Sequence, residues 1–258
     1  YSGPLIPNSI SWWLIMSANK YIILYFLGKE ALGIFGFSNR FPGLLVMVNS
    51  IFIMAWQESA ILNFNKEGGD LFFSKIFDFL IKIQVSFAVI LILTSELLIN
   101  YVVSDEFYES WKYMPFLYLG ASFSTFAGFY GSIYLSAKDT KSSLRTTLVA
   151  GILNVLTALL LVKSYGLFGV SFANALSFLF LVLYRFYHTK KIITIRNNLS
   201  TIYISIILLS SSFIIIYQKN TILTVISVFV IMPIIFLFNK KIINKISQQI
   251  KKKIHGIS

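Results

Sequence analysis

The chain has no cysteine, only two histidines, five prolines and ten acidic residues in 258 positions. Without cysteine there is no disulfide, no thiolate metal site and no cysteine nucleophile. His188 and His255 lie in or beside polar segments, and neither has a partner histidine at ligand spacing, so both read as solvated interfacial residues rather than metal ligands. No phosphate-binding glycine loop, serine elbow or metal-ligand spacing occurs, and the expectation is a protein without cofactor, metal or catalytic residues. Charged residues make up 12% of the chain, where a soluble protein carries about 25%. Long polar connections are missing too: the longest, 188–198, and the largest between odd and even runs, 104–113, are too short to hold an aqueous domain.

What fills the chain instead is apolar: hydrophobic residues are 57% of it. A helix needs roughly 20 mainly apolar residues to cross a bilayer core, and such runs lie at 5–27, 34–62, 76–103, 114–137, 144–162, 167–187, 199–217 and 221–239. The fold class this implies is an all-α integral membrane protein, a polytopic bundle of about eight transmembrane helices, because unpaired backbone in hydrocarbon costs several kcal/mol and forces helix. Its predicted divisions are a six-helix part at 1–190, two appended helices at 191–239 and a basic tail at 240–258.

The cations are distributed unevenly. The segments after the second, fourth and sixth runs carry Lys66 and Lys75; Lys138, Lys141 and Arg145; and Arg185, Lys190, Lys191 and Arg196; the tail adds Lys240, Lys241, Lys245, Lys251, Lys252 and Lys253. The other loops hold Lys29, Lys112, Lys163 and Lys219, a split of fifteen against four that predicts a cytoplasmic N-terminus and tail. The net charge of +12 therefore points to anionic lipid headgroups, not to nucleic acid. In the tail, Ile243, Ile246, Ile250, Ile254 and Ile257 recur at helical spacing between lysines; an interfacial amphipathic helix and a basic tail that only sets topology both fit. The chain begins at Tyr1 without an initiator Met or signal-peptide pattern and reads as a fragment lacking an N-terminal part.

Charge within the apolar runs is costly and marks candidate sites. Lys20 and Arg40 lie roughly 10 Å from the same membrane surface at 1.5 Å per residue, each after an amide, Asn19 and Asn39, on two helices predicted to form a hairpin. In the second run Arg40, Gly43, Met47, Ser50, Met54, Gln57 and Glu58 recur at helical spacing as a polar stripe that calls for water or a polar ligand beside it. Two readings stand for the cations: contacts to a ligand in a cavity, or snorkelling and structural pairing with Glu96. Glu58 and Glu96 read as ion-coupling or structural residues. Asp105, Glu106 and Glu109 form an acidic cluster, but among Phe107, Tyr108, Trp111 and Tyr113 it reads as an interfacial loop rather than an acid–base pair. Small residues on the fourth and sixth runs, Gly120, Ser124, Gly128, Gly131 and Gly169 among them, predict close helix approach. Pro42 is expected to break the second run near Arg40, and Pro233 to kink the last.

Several stretches carry a family resemblance. Pro4-Leu-Ile-Pro-Asn-Ser-Ile-Ser-Trp-Trp13, Asn19-Lys20-Tyr-Ile-Ile-Leu-Tyr-Phe-Leu-Gly28, Ala55-Trp-Gln-Glu-Ser-Ala60 and Phe107-Tyr-Glu-Ser-Trp-Lys-Tyr-Met-Pro-Phe116 resemble the C-terminal half of bacterial polysaccharide-repeat-unit flippases of the Wzx type. Gly131-Ser-Ile-Tyr, Lys138-Asp-Thr-Lys, Asn154, Tyr165-Gly-Leu-Phe-Gly169 and Tyr184-Arg185 are similar to their C-terminal region. The resemblance implies the second lobe of a two-lobe, MATE-like transporter of the multidrug/oligosaccharidyl-lipid/polysaccharide (MOP) exporter superfamily in the bacterial inner membrane. It further implies translocation of undecaprenyl-pyrophosphate-linked oligosaccharide by alternating access for capsule, O-antigen or exopolysaccharide synthesis. Lys20 and Arg40 would then face the pyrophosphate or acidic sugars, with Asn19, Asn39 and Gln57 as further substrate contacts, and polysaccharide polymerase and chain-length machinery as partners. A multidrug exporter of the same superfamily, and a membrane polysaccharide polymerase or ligase, are the alternatives.

Overall fold

The computed structural model describes residues 5–102, 105–196, 198–218, 221–244 and 247–248. These are all-helical, with no strand among them: α1 (Leu5–Ser38), α2 (Arg40–Asn63), α3 (Gly69–Val102), a 3₁₀ segment (Asp105–Lys112), α4 (Met114–Ser136), α5 (Thr140–Thr189), α6 (Leu199–Tyr217) and α7 (Thr221–Phe238). Among the described residues five helices are long and apolar enough to cross a membrane, and Ile222–Phe238 is a shorter apolar one. Their outward faces are greasy: Tyr25 is 83% exposed and Leu160 77%, which water would penalise and lipid would not. The architecture is compatible with a membrane helix bundle.

Two of the helices are folded double. At Gly28 the backbone takes φ 85°, ψ −174°, and at Gly166 φ 54°, ψ −134°, regions open to glycine and strained for other residues. The 50-residue α5 is therefore two limbs. Arg185, 19 positions after Gly166, hydrogen-bonds to Thr146, 20 positions before it, so the limbs run antiparallel. Nearer the turn, a Cβ on Gly169 would lie 2.7 Å from Leu161 O, so only glycine lets the limbs approach this closely there. In α1 the two limbs share a core in which Ile22 and Ile23 sit with Phe35, Leu117, Val162 and Val170.

Other boundaries follow local chemistry. α2 starts after a turn at Asn39, and Pro42 explains why: it has no N–H for the carbonyl four residues back, and its ring crowds that carbonyl. The predicted run 34–62 is thus the end of α1 joined to α2. Asp139 caps α5 by accepting from Ser142 N at 3.1 Å, and Asn198 caps α6 through Ser200 N at 3.1 Å. Pro115 lies in the first turn of α4, where a missing N–H is harmless. Pro233 lies inside α7. The tail, predicted as amphipathic or merely basic, falls largely outside the described residues, as does His255.

The chain divides into two compact units, Tyr1–Ser74 with Thr94–Arg196, and Lys75–Leu93 with Asn197–Ser258. The middle of α3 thus belongs to the second unit. In that unit Val85, Val89 and Leu93 of α3 pack with Leu208 of α6 and with Ile231 and Ile235 of α7. A polar ladder joins the same three helices. Asp78 accepts from Lys82 at 2.6 Å and from Thr201 Oγ1 at 2.5 Å, and Asn239 Nδ2 donates to Ser86 Oγ at 2.7 Å.

The first unit is built around α4, whose small and hydroxyl residues are buried along most of its length. α4 is not one of the five long apolar helices, and its position in the fold accounts for that: it faces other helices more than lipid, so it is rich in Gly, Ser and Thr in place of Leu and Ile. Trp56 of α2 stacks on Phe129 of α4 at 4.6 Å between centroids and donates to the Phe129 carbonyl at 3.4 Å. The 3₁₀ segment packs on the second limb of α1: Ser38 Oγ donates to Ser110 O at 3.0 Å, and Phe107 stacks on Phe37 at 5.4 Å.

Candidate functional site

Within the first unit one face of α2 borders two cavities. Pro42, Gly43 and Val46 line the first, and Val46, Asn49, Ser50, Ile53 and Gln57 line the second, a series at helical spacing. Val46 and Ser124 belong to both walls, so the cavities are neighbours along a single groove. The predicted polar stripe is divided by this arrangement. Gly43, Ser50 and Gln57 border the groove, whereas Met47 and Met54, at 65% and 70% exposure, lie on the open face of α2.

The first cavity, about 200 Å3, brings Asn19 and Lys20 of α1 together with Asn39, and adds Asn174 from the second limb of α5. Asn174 approaches α4 so closely that a Cβ on Gly120 would lie 2.3 Å from its Oδ1. Asn19 is buried, and its Oδ1 accepts from Asn154 Nδ2 at 3.1 Å; the same Nδ2 reaches Ile15 O at 3.2 Å. Asn39 Nδ2 donates to Phe35 O at 2.8 Å. Lys20 is exposed, on a stem long enough to reach into or away from the cavity. Arg40 is also exposed; its guanidinium sits 4.8 Å from the centroid of the Phe37 ring and does not border this cavity.

The second cavity, about 290 Å3, is bordered by Trp12, Asn49, Ser50, Gln57, Ser124 and Arg185, among others. Arg185 is 1% exposed. Its Nε donates to Thr146 Oγ1 at 3.1 Å, Nη1 to Ala127 O at 2.6 Å, and Nη2 to Thr147 Oγ1 at 2.8 Å and, more weakly, Ser143 O at 3.5 Å. The rings of Tyr134 and Trp12 lie 5.8 and 5.9 Å from it. Gly131 makes room for it, since a Cβ there would stand 2.7 Å from Nη1.

Arg185 was expected in a polar segment as one of the topogenic cations, and this is corrected: it is buried inside α5 and stapled to α4 and the opposite limb. Without it the predicted split is fourteen cations against four. Arg185 falls near the end of an apolar run and before Lys190 and Lys191, so sequence position grouped it with them. A signal did exist, because the hydroxyl-rich segment Ser143 to Thr147 faces it across the hairpin.

Glu58 is exposed and borders neither cavity. Glu96 accepts from Tyr108 Oη at 3.2 Å. Among the described residues the ion pairs are Lys82–Asp78 and Lys112–Glu109, so Glu96 is not paired with Lys20 or Arg40. Burial first, and the Glu96 carboxylate second, push the Tyr108 hydroxyl above its ordinary value. Of the acidic cluster, Glu106 is exposed and Glu109 is bound to Lys112. His188 Nδ1 is 3.1 Å from Tyr134 Oη, and the described residues contain no group of three or more His, Cys, Asp or Glu placed to hold a metal ion. The Asp78–Lys82 pair was not singled out from the sequence, although acid and base at i, i+4 is a helix-stabilising pattern. No family model matches the chain, and no curated protein matches it.

Proposed function

We propose that this chain is one lobe of a membrane transporter whose ligand is polar and anionic, and that the ligand is a lipid-linked oligosaccharide moved from the inner to the outer leaflet. The observation that carries the reading is the groove: amides, hydroxyls, a tryptophan and cations border it inside a unit whose outer faces are apolar. A saccharide headgroup cannot cross hydrocarbon unaided, since each buried hydroxyl without a partner costs several kcal/mol, while a prenyl tail can stay in lipid. A groove beside lipid that sets polar groups into apolar walls answers that requirement. Lys20, with Arg40 next in sequence to the cavity residue Asn39, supplies charge for a diphosphate or acidic sugar; Asn19, Asn39 and Gln57 supply hydrogen bonds.

An exporter of organic cations would call for carboxylates and aromatic faces at the site. Neither cavity is bordered by Asp or Glu among the described residues, which favours an anionic or neutral ligand. No residue is assigned a catalytic role. The test is glycan export by the native gene in a flippase-deficient bacterium. Lys20→Ala and Arg40→Ala should each lower export severalfold at near-normal membrane abundance, with Arg40→Lys retaining more than Arg40→Ala because the charge survives although the fork is lost. Full export by the Lys20→Ala, Arg40→Ala double variant removes this reading.

A further inference from the structure

We infer that the cavity at Arg185 is a binding site for an oxyanion, a carboxylate or phosphate group carried on a hydroxyl-bearing ligand. Three observations meet there. First, the guanidinium is buried and every acceptor it reaches is neutral: one carbonyl at close range, a second at 3.5 Å and two threonine hydroxyls. A buried cation is ordinarily matched by a counter-charge, and the ion pairs among the described residues do not include Arg185. A guanidinium also has five N–H donors, one more than the four contacts it makes.

Second, Asn49, which borders the same cavity, has its Nδ2 buried with no hydrogen-bond partner. An unpartnered donor that borders the same cavity as an unneutralised cation calls for an acceptor bearing negative charge. Third, the space is too large for a bare halide. At about 30 Å3 per water, 290 Å3 holds about ten waters, and between the apolar Val46, Ile53 and Leu135 its walls carry Ser50, Gln57, Ser124 and the Trp12 ring, groups that suit hydroxyls and a sugar face. The staple that holds Arg185 in place is what makes the site effective, because the charge and the one remaining N–H are already positioned before a ligand arrives.

The inference deepens the reading of the groove as a site for an anionic saccharide and rests on it for the class of ligand, while binding is measured apart from transport, on the purified protein in detergent. The thermal midpoint is followed while sodium glucuronate or sodium phosphate is titrated at ionic strength held constant with sodium chloride, with glucose as the uncharged control. A saturable rise is expected with one or both oxyanions and none with glucose. A response to glucuronate alone assigns a carboxylate, and to phosphate alone a phosphate. Asn49→Leu, which leaves the Arg185 contacts in place, should raise the half-saturating concentration about tenfold, the loss of one hydrogen bond to a charged group. Arg185→Gln should abolish saturation; if it does not fold, Asn49→Leu and Gln57→Leu carry the test. Oxyanions that act no differently from glucose, a rise that never saturates, or unchanged half-saturation in Asn49→Leu and Gln57→Leu would overturn the inference.

Discussion

Lys20 and Arg185 stand at the two cavities of one groove and are held in opposite ways. Lys20 is exposed on a flexible stem, and its surroundings supply amides that are already bonded to other partners, Asn19 to Asn154 and Asn39 to the Phe35 carbonyl. Arg185 is buried, and four contacts from α4 and the facing limb of α5 fix its plane. The difference teaches that one cation can move with a ligand while the other is part of the frame, so the same loss of charge should have different consequences at each end.

The strongest way to break that contrast is to remove the two cations in turn. Arg185→Met leaves the Ala127 carbonyl and the Thr146 and Thr147 hydroxyls without their charged donor and should cost about 2 to 4 kcal/mol. Lys20→Met should unfold close to the parent. Denaturant titration in mixed micelles measures both; equal losses would mean that Lys20 is as structural as Arg185.

The reversals that bring the groove walls together come next. Gly28→Ala and Gly166→Ala should each cost about 1 to 3 kcal/mol, because both positions hold positive φ in regions closed to alanine. No atom lies within 4 Å of a Cβ at either glycine, so the loss would come from backbone strain alone. Thermal midpoints unchanged in both variants would show that the limbs do not depend on these turns.

A pair of glycines gives the smallest and most discriminating comparison. Gly131→Ala should destabilise by about 1 kcal/mol, since the new methyl displaces the Arg185 fork, whereas Gly43→Ala meets open space and should be neutral or gain up to about 1 kcal/mol of helix propensity. Opposite signs in the two midpoints sharpen the contrast between a packed end and an open one; like signs blur it.

Much of the groove was legible one helix at a time. The hairpin of Lys20 and Asn39 follows from two apolar runs joined by a short loop, and Gly43, Ser50 and Gln57 follow from 3.6-residue periodicity, which is local. Asn49 and Arg185 were not legible this way. Asn49 sits among apolar neighbours on a helix where its burial depends on what α4 presents, and Arg185 looks like any cation at the end of a span until the opposite limb is laid against it. The stripe was drawn too wide for the same reason: periodicity defines a helical face, but it does not say which edge of that face, Met47 or Asn49, meets a neighbour.

By itself the sequence determined the helical class, the places where apolar runs begin and end, and the turn chemistry at Lys138–Asp139 and Pro115, because each depends on hydropathy, backbone geometry or a cap within a few residues. Only the tertiary structure decided which cation is buried, that the turns after the first and fifth runs hinge on Gly28 and Gly166, and that Val46 and Ser124 join two cavities into a groove. Burial and cavity shape are properties of surfaces brought together from distant segments, such as Ala127 with Arg185 or Asn19 with Asn154, and no local pattern in either partner encodes the distance between them.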